Sequence, residues 1–227
     1  MRINNINSTQ FKAIPISKIK VNGIEKPYKL YEITKKDNDF LEGLYDSINL
    51  KELMPGLNEN DYCVWDGIIE SAIQVTNKGG RKTLLETCDD KPCGLINYSK
   101  FCDKFHVNYI ATFPTEPSKK VPFAGQILFN EVFKRLLDSC IDVIELKALR
   151  SSPFSPITKY SKLGFKPLGG TDYYERMKIY RSEIESAINM QEKFFTAEQE
   201  FSKRNIILDK FCKSKGLFTR FFLSLIR

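Results

Sequence analysis

The segment from residue 107 to residue 149 places the strongest constraint on the fold of this chain. It begins with the apolar run VNYIATF (107–113), passes through a proline-rich loop into QILFNEVFKRLLDSC, and ends with DVIELKAL (142–149). Apolar residues of the middle run recur three and four positions apart, which predicts an amphipathic helix. A strand, a helix and a second strand in this order require a crossover that leaves the two strands parallel.

The remaining strands are predicted to be antiparallel, because short connections separate them. Asn22-Gly23 lies between two alternating segments and predicts a hairpin turn. Runs rich in aromatic and β-branched residues predict strands at 27–34, 82–88, 93–101, 107–113, 142–149, 165–170 and 173–180. The predicted fold class is therefore α/β (α+β), a mixed and mostly antiparallel sheet flanked by helices.

Three further helices are predicted before residue 181. One follows Asp37 or Asn38 and carries apolar side chains at Phe40, Leu41, Leu44, Tyr45 and Ile48. A second covers DYCVWDGIIESAIQVTNKGG (61–80) and stops at its glycines. A short third helix (156–163) ends before Gly164, because the residue after a helix end favours a positive φ.

Composition excludes several classes of protein. The 227 residues are 42% hydrophobic, which suits one domain or a domain with an appendage. No apolar run approaches the ~18 residues of a membrane-spanning helix, and the amino terminus lacks the apolar core of a signal peptide. A cytoplasmic location is therefore expected. The six cysteines are scattered and His106 is the only histidine, so we expect free thiols and no metal site.

The formal net charge of +7 fits an acidic partner such as a nucleotide, a nucleic acid or a membrane surface. It is also an ordinary charge for a soluble protein. The sequence contains no zinc finger, no RNA-binding strand motif and no basic helix with base-contacting spacing. We therefore expect no sequence-specific binding of nucleic acid.

Three segments, in this order, resemble the GCN5-related N-acetyltransferase (GNAT) family. The first is YKLYEITKKDNDFLEGLYDSI, the second is NYIATF followed by PFAGQILFNEVFKRLL, and the third is DVIELKAL followed by KYSKLGFKPLG. The resemblance covers residues 27–181 and leaves 1–26 as an amino-terminal segment and 182–227 as a helical extension. It implies transfer of an acyl group from a coenzyme A thioester, most simply acetyl-CoA, to an amine, without a metal.

The loop before the central helix is the expected coenzyme site. A helix amino terminus carries unpaired N–H groups and partial positive charge, which suit a pyrophosphate. The family motif expects a glycine where Phe123 stands, and Pro122 has no N–H to donate. A plain loop, with Gly125 present for close packing, is the alternative. The coenzyme-binding residues implied by the resemblance are Ala111, Thr112, Phe113, Lys120, Val121, Phe123, Ala124, Gly125, Gln126 and Ser152.

Tyr160 has two interpretations. From local sequence alone it is a half-buried aromatic residue one turn before the end of its helix. The resemblance implies instead that its phenol gives a proton or a hydrogen bond to the departing thiolate. The resemblance also implies a backbone N–H of strand 107–113 beside the carbonyl.

The amine must lose a proton, and the resemblance implies a base that is often a carboxylate acting through water. The candidates are Glu145 on strand 142–149 and Glu116 in the loop, with His106 and Asn108 on one face of the preceding strand. An edge or solvated charge is the alternative interpretation of Glu145. The carboxylates of Asp66 and Glu70, four residues apart, fit a solvated helix face better than a cationic substrate.

The apolar and basic end of the chain, GLFTRFFLSLIR, allows three interpretations. It packs on its own domain or across a homodimer, it docks on a protein partner, or it lies on an anionic membrane surface. The rival to an acyltransferase is accordingly an acetyltransferase-like binding module without activity, acting through this extension. The acceptor amine is not identified by the sequence, because a fold does not fix its substrate.

Overall fold

A computed structural model describes the chain from residue 13 to residue 199, with five short gaps and one longer one. The described residues are 13–34, 37, 58–74, 76, 80–114, 118–152 and 154–199. The predicted helix after Asp37 and the base candidate Glu116 lie outside them, as does the chain from residue 200 to residue 227.

The described residues form one nine-stranded sheet in the order β7-β8-β6-β5-β4-β3-β2-β1-β9. Its strands are β1 Ile14–Val21, β2 Ile24–Glu32, β3 Arg81–Cys88, β4 Lys91–Lys100, β5 Phe105–Thr112, β6 Val143–Leu149, β7 Lys166–Gly170, β8 Tyr174–Tyr180 and β9 Phe195–Gln199. Only β5 and β6 pair in parallel. The predicted mixed, mostly antiparallel sheet is confirmed, including the parallel pair on either side of the crossover.

Four helices accompany the sheet in the described part of the chain. They are α1 Glu59–Gln74, α2 Ala124–Leu137, α3 Pro156–Lys162 and α4 Arg181–Gln191. α2 buries its predicted apolar face, including Leu128 and Phe133, against one side of the sheet. α1 buries Ile69, Ala72 and Ile73 against the other side. Among the described residues, no helix is long and apolar enough to cross a membrane.

Two turns form as the sequence predicts. Val21 pairs with Ile24 across the hairpin between β1 and β2, and Gly23 has φ 77°. Gly164 follows α3 with φ 100°, and an added Cβ there would lie 2.9 Å from Ile179 Cδ1. Glycine at position 164 is therefore required by its backbone conformation and by its packing.

The predicted helical extension is wrong at residues 195–199. α4 begins the extension as predicted, but β9 then pairs antiparallel with β1, from Val21 opposite Phe195 to Ser17 opposite Gln199. Phe195 is buried in the core beneath α2. The free edge of β1 supplies backbone partners that outweigh the helical pattern of this segment.

A buried carboxyl group lies within the sheet beneath α2. Glu86 of β3 is 0% exposed, and neither of its carboxyl oxygens has a hydrogen-bond partner in the described structure. Burial therefore raises the pKa of Glu86 well above its ordinary value. Its titratable neighbours Tyr28, Cys88 and Cys93 also have pKa values raised by burial, so Glu86 lies among neutral groups at neutral pH.

Glu86→Gln is expected to change how stability depends on pH. The unfolded chain loses this proton near its ordinary pKa of about 4.3, whereas the folded protein keeps it to higher pH. Wild-type stability should therefore fall as pH rises between these two values, by up to about 1.4 kcal/mol per pH unit, and level off above the folded pKa. Urea unfolding across this range should show that slope in wild type and its loss in the variant. If the free energy of unfolding depended on pH in the same way in wild type and variant, the raised pKa of Glu86 would be contradicted.

Candidate functional site

The site begins where β5 and β6 separate. The two strands pair only over Phe105–Val107 and Ile144–Leu146. A register shift between Asn97 and Tyr98 of β4 leaves Asn108 of β5 without a partner residue in β4. Beyond Val107, the edge of β5 that faces β6 has backbone groups without ladder partners.

A cleft of about 610 Å³ occupies this separation. Its walls come from α1, β5, the loop before α2, the end of β6, and α3. Most of the predicted site residues line it, namely Thr112, Lys120, Val121, Phe123, Ala124, Gly125, Gln126, Ser152 and Tyr160. The crossover thus brings together residues that lie as much as 48 positions apart, from Thr112 to Tyr160.

Three predicted residues are not at the cleft wall. Ala111 and Phe113 are buried in the core beneath α1, because alternate residues of a strand face opposite sides. Glu145 lies on β6 beside His106 of β5, and its carboxylate accepts a hydrogen bond of 2.9 Å from Lys104 Nζ. Neither Glu145 nor His106 lines the cleft, and burial lowers the pKa of His106.

The amino end of α2 presents unpaired backbone donors to the cleft. The first helical hydrogen bond runs from Ile127 N–H to Phe123 C=O, and no side chain caps the helix. The N–H groups of Ala124, Gly125 and Gln126 therefore have no acceptor within the described structure. These donors, with the helix dipole behind them and Lys120 in the same wall, form an environment for an anion.

The loop before α2 is tied to the sheet, and its packing leaves space at Gly125. The Tyr28 hydroxyl of β2 donates a hydrogen bond of 3.2 Å to the Pro122 carbonyl, which ties the loop to the sheet. A Cβ placed at Gly125 would contact only Thr112 Cγ2, at an ordinary 3.7 Å. Glycine at position 125 is thus not demanded by packing, which argues against the plain-loop interpretation.

Phe123, which stands where the family motif expects a glycine, has a left-handed backbone conformation. Its φ of 62° lies in the left-handed region, which glycine adopts without steric cost. The Phe123 ring stacks on Phe194, with centroids 5.5 Å apart, and tilts against Phe195 at 6.2 Å. The ring contacts of Phe123 hold a conformation that its own side chain disfavours, and the cleft stays open beside it.

Tyr160 lines the cleft from α3. Its half-buried ring meets Phe129 edge-on, with centroids 5.7 Å apart, and tilts against Phe165 at 6.1 Å. Its hydroxyl has no hydrogen-bond partner among the described residues. Burial raises the pKa of Tyr160 to about 12, so the phenol stays protonated at any physiological pH.

The wall residues that the sequence analysis missed include Asp61, Trp65, Phe154 and Lys159. Trp65 and Phe154 meet edge-on, with ring centroids 5.2 Å apart, although 89 positions separate them. Burial and the nearby Lys120 lower the pKa of Lys159. Phe154 precedes Ser155, which lies at the start of α3 as the loop sequence RSSPFSP indicates and has φ 47°.

No protein-family model and no curated protein matches the chain. Among solved structures, PaiA N-acetyltransferase from Thermoplasma acidophilum in complex with coenzyme A superposes with a TM-score of 0.50 at 16% identity, over 67% of this chain and 98% of that one. FdhC, a nucleotide-linked sugar GNAT, superposes with a TM-score of 0.51 at 13% identity, over 80% of this chain and 97% of that one. An uncharacterized protein from Bacillus halodurans superposes with a TM-score of 0.52 at 13% identity, over 78% of this chain and 95% of that one.

This chain has the GNAT fold. The fold expected from the sequence resemblance is confirmed. At these identities the comparisons establish the fold, and the chemistry has to be argued from the cleft itself.

Substitution of Phe123 tests the left-handed backbone at the entrance to α2. Phe123→Gly and Phe123→Ala should both be less stable than wild type by about 1–3 kcal/mol, because the ring contacts are lost. The Gly variant should be the more stable of the two by about 0.5–1 kcal/mol, because the left-handed penalty of alanine exceeds its advantage in the unfolded chain. Urea unfolding measures both differences.

Gly67 provides a matched control for this comparison. It lies inside α1, has no positive φ, and an added Cβ would meet no atom within 4 Å. Gly67→Ala should therefore stabilise the protein by about 0.5–1 kcal/mol. At position 67 alanine should be the more stable residue, whereas at position 123 glycine should be more stable than alanine. An Ala variant at position 123 that is more stable than the Gly variant would contradict the left-handed assignment.

Proposed function

We propose that the protein is an acyl-CoA-dependent N-acyltransferase that uses acetyl-CoA. One observation carries the proposal: a single cleft joins the unpaired amides at the start of α2 to the Tyr160 phenol. An anion-binding end and a proton donor in one cleft are what a diphosphate-bearing thioester requires. The GNAT fold supports the same activity, and the PaiA structure contains coenzyme A.

The coenzyme would lie along the cleft with its diphosphate at the amino end of α2. The amides of Ala124, Gly125 and Gln126 would donate to phosphate oxygens, and Lys120 would add positive charge. Burial and the neighbouring Lys120 lower the pKa of Lys159, and the same anion would stabilise its charged form. The residues present therefore fit the group.

Bound coenzyme supplies the acyl group as a thioester. In the transfer, the amine nitrogen forms a bond to the carbonyl carbon while the bond from carbon to sulfur breaks. Tyr160 would give its proton to the departing sulfur and recover one from solvent, and the raised pKa keeps that proton available. The unpaired edge of β5 after Val107 would offer a backbone N–H to the carbonyl oxygen.

The base that removes the proton of the amine stays a prediction. Glu145 is ion-paired with Lys104 and lies outside the cleft wall, so it would have to act through water. Asp61 is the one carboxylate among the described residues that line the cleft. Orientation of amine and thioester by the cleft would supply much of the remaining acceleration.

If Tyr160 is the proton donor, the substitution Tyr160→Phe should lower turnover without weakening the binding of acetyl-CoA. Turnover of acetyl-CoA with an amine should fall about tenfold or more, because the general acid is removed while the ring contacts remain. Tyr173→Phe is the matched control, because Tyr173 is 75% exposed and does not line the cleft.

Isothermal titration of both variants with acetyl-CoA separates binding from chemistry. Both should bind acetyl-CoA like wild type, in the micromolar range (order of magnitude). Unchanged turnover in Tyr160→Phe would rule out Tyr160 as the general acid. Absence of binding to wild type at millimolar ligand (order of magnitude) would instead favour the inactive module.

A further inference from the structure

The charge of the cleft limits which amines can enter it. Among its described lining residues, four are lysines and one is acidic: Lys120, Lys147, Lys159, Lys162 and Asp61. Lys120 and Lys159 would face the diphosphate, so an acceptor with several positive charges would meet repulsion from Lys147 and Lys162 and a single carboxylate partner. Polyamines are therefore disfavoured, and an acceptor with one amine is favoured.

An aromatic wall stands at the side of the cleft formed by α1. Trp65 of α1 and Phe154 meet at 5.2 Å between centroids, with Ile68 and Leu149 in the same lining. Trp65 Nε1 is buried and donates to no acceptor in the described structure, so apolar contact alone holds the indole. A surface of this kind suits an apolar, ring-bearing body.

Asn108 places a hydrogen-bond acceptor at the same cleft. Its Nδ2 donates to Asn97 Oδ1 and to Ser99 Oγ, each at 2.9 Å, which uses both amide hydrogens. Asn97 is itself 0% exposed and donates to Thr83 Oγ1 at 2.7 Å, so the orientation of the network is set from the core. The Asn108 Oδ1 has no donor among the described residues and belongs to a residue of the cleft wall.

We infer that the acceptor is a small molecule with one primary amine on an apolar, ring-bearing body. Its amine N–H donates to Asn108 Oδ1, and its body rests on the wall of Trp65 and Phe154. This assignment rests on the proposed acyltransferase function. Asn108 and Trp65 act in it as positioning and specificity-determining residues.

Trp65 allows a direct test, because it is the only tryptophan in the sequence. The full chain is titrated with phenethylamine, phenethyl alcohol and spermidine while tryptophan fluorescence is followed, with and without coenzyme A. Phenethylamine should give a saturable change and bind about tenfold tighter than the alcohol, because only the amine donates a charge-assisted hydrogen bond to Asn108. Spermidine should give no saturable change. Equal affinity for amine and alcohol, or tighter binding of spermidine, would overturn the inference.

Two variants identify the residues involved. Asn108→Leu should bring the amine affinity down to that of the alcohol, whereas Phe154→Ala should weaken both ligands about tenfold. Phe101→Ala, which truncates a 50% exposed ring outside the cleft, should change neither affinity. Circular dichroism establishes that each variant is folded, and if Asn108→Leu does not fold, the Phe154→Ala result still decides where the body binds. Unchanged affinities in Phe154→Ala would overturn the inference.

Failure of the proposed function is detected separately. The fluorescence titration without coenzyme A reports amine binding alone, whereas calorimetry with acetyl-CoA reports the coenzyme site. Amine binding with no coenzyme binding would overturn the acyltransferase and, with it, the role of acceptor. Coenzyme binding with the opposite ligand preference would overturn only the identity of the acceptor.

Discussion

The limited pairing of β5 with β6 is the constraint on which the site depends. Three residues of each strand pair, and then the strands separate beside the unpaired position of Asn108. The cleft lies in that separation, with the amino end of α2 at one wall and Tyr160 at another. Had the ladder continued to Thr112, the backbone groups that face the cleft would be satisfied by β6 and no substrate could reach them.

Phe123 holds a left-handed backbone conformation at the entrance to α2. The GNAT motif expects glycine at this position, and this chain has a phenylalanine there with φ 62°. The ring contacts with Phe194 and Phe195 offset that conformational cost, and both partners come from the segment after α4. Phe194 and Phe195 therefore stabilise the loop at the entrance to α2.

Local sequence signals predicted most of the sheet and part of the site. The crossover, the Asn22-Gly23 hairpin and the helix end at Gly164 are each encoded within a few residues, and each is confirmed. β9 was missed because its partner, β1, lies far away in the sequence. The wall of Trp65 and Phe154 was missed for the same reason, since the packing of α1 on the sheet brings the two rings together.

The most direct test of the coenzyme site is hydrogen–deuterium exchange at the backbone amides of Val121 and of Phe123 to Gln126, with and without coenzyme A. In the free protein the amides of Ala124, Gly125 and Gln126 have no acceptor among the described residues and should exchange rapidly. Saturating coenzyme A should slow their exchange about tenfold or more, while the exposed turn at Asp89–Asp90 stays unchanged. Unaltered exchange at Val121 and at Phe123 to Gln126 in the presence of bound coenzyme A would contradict the account.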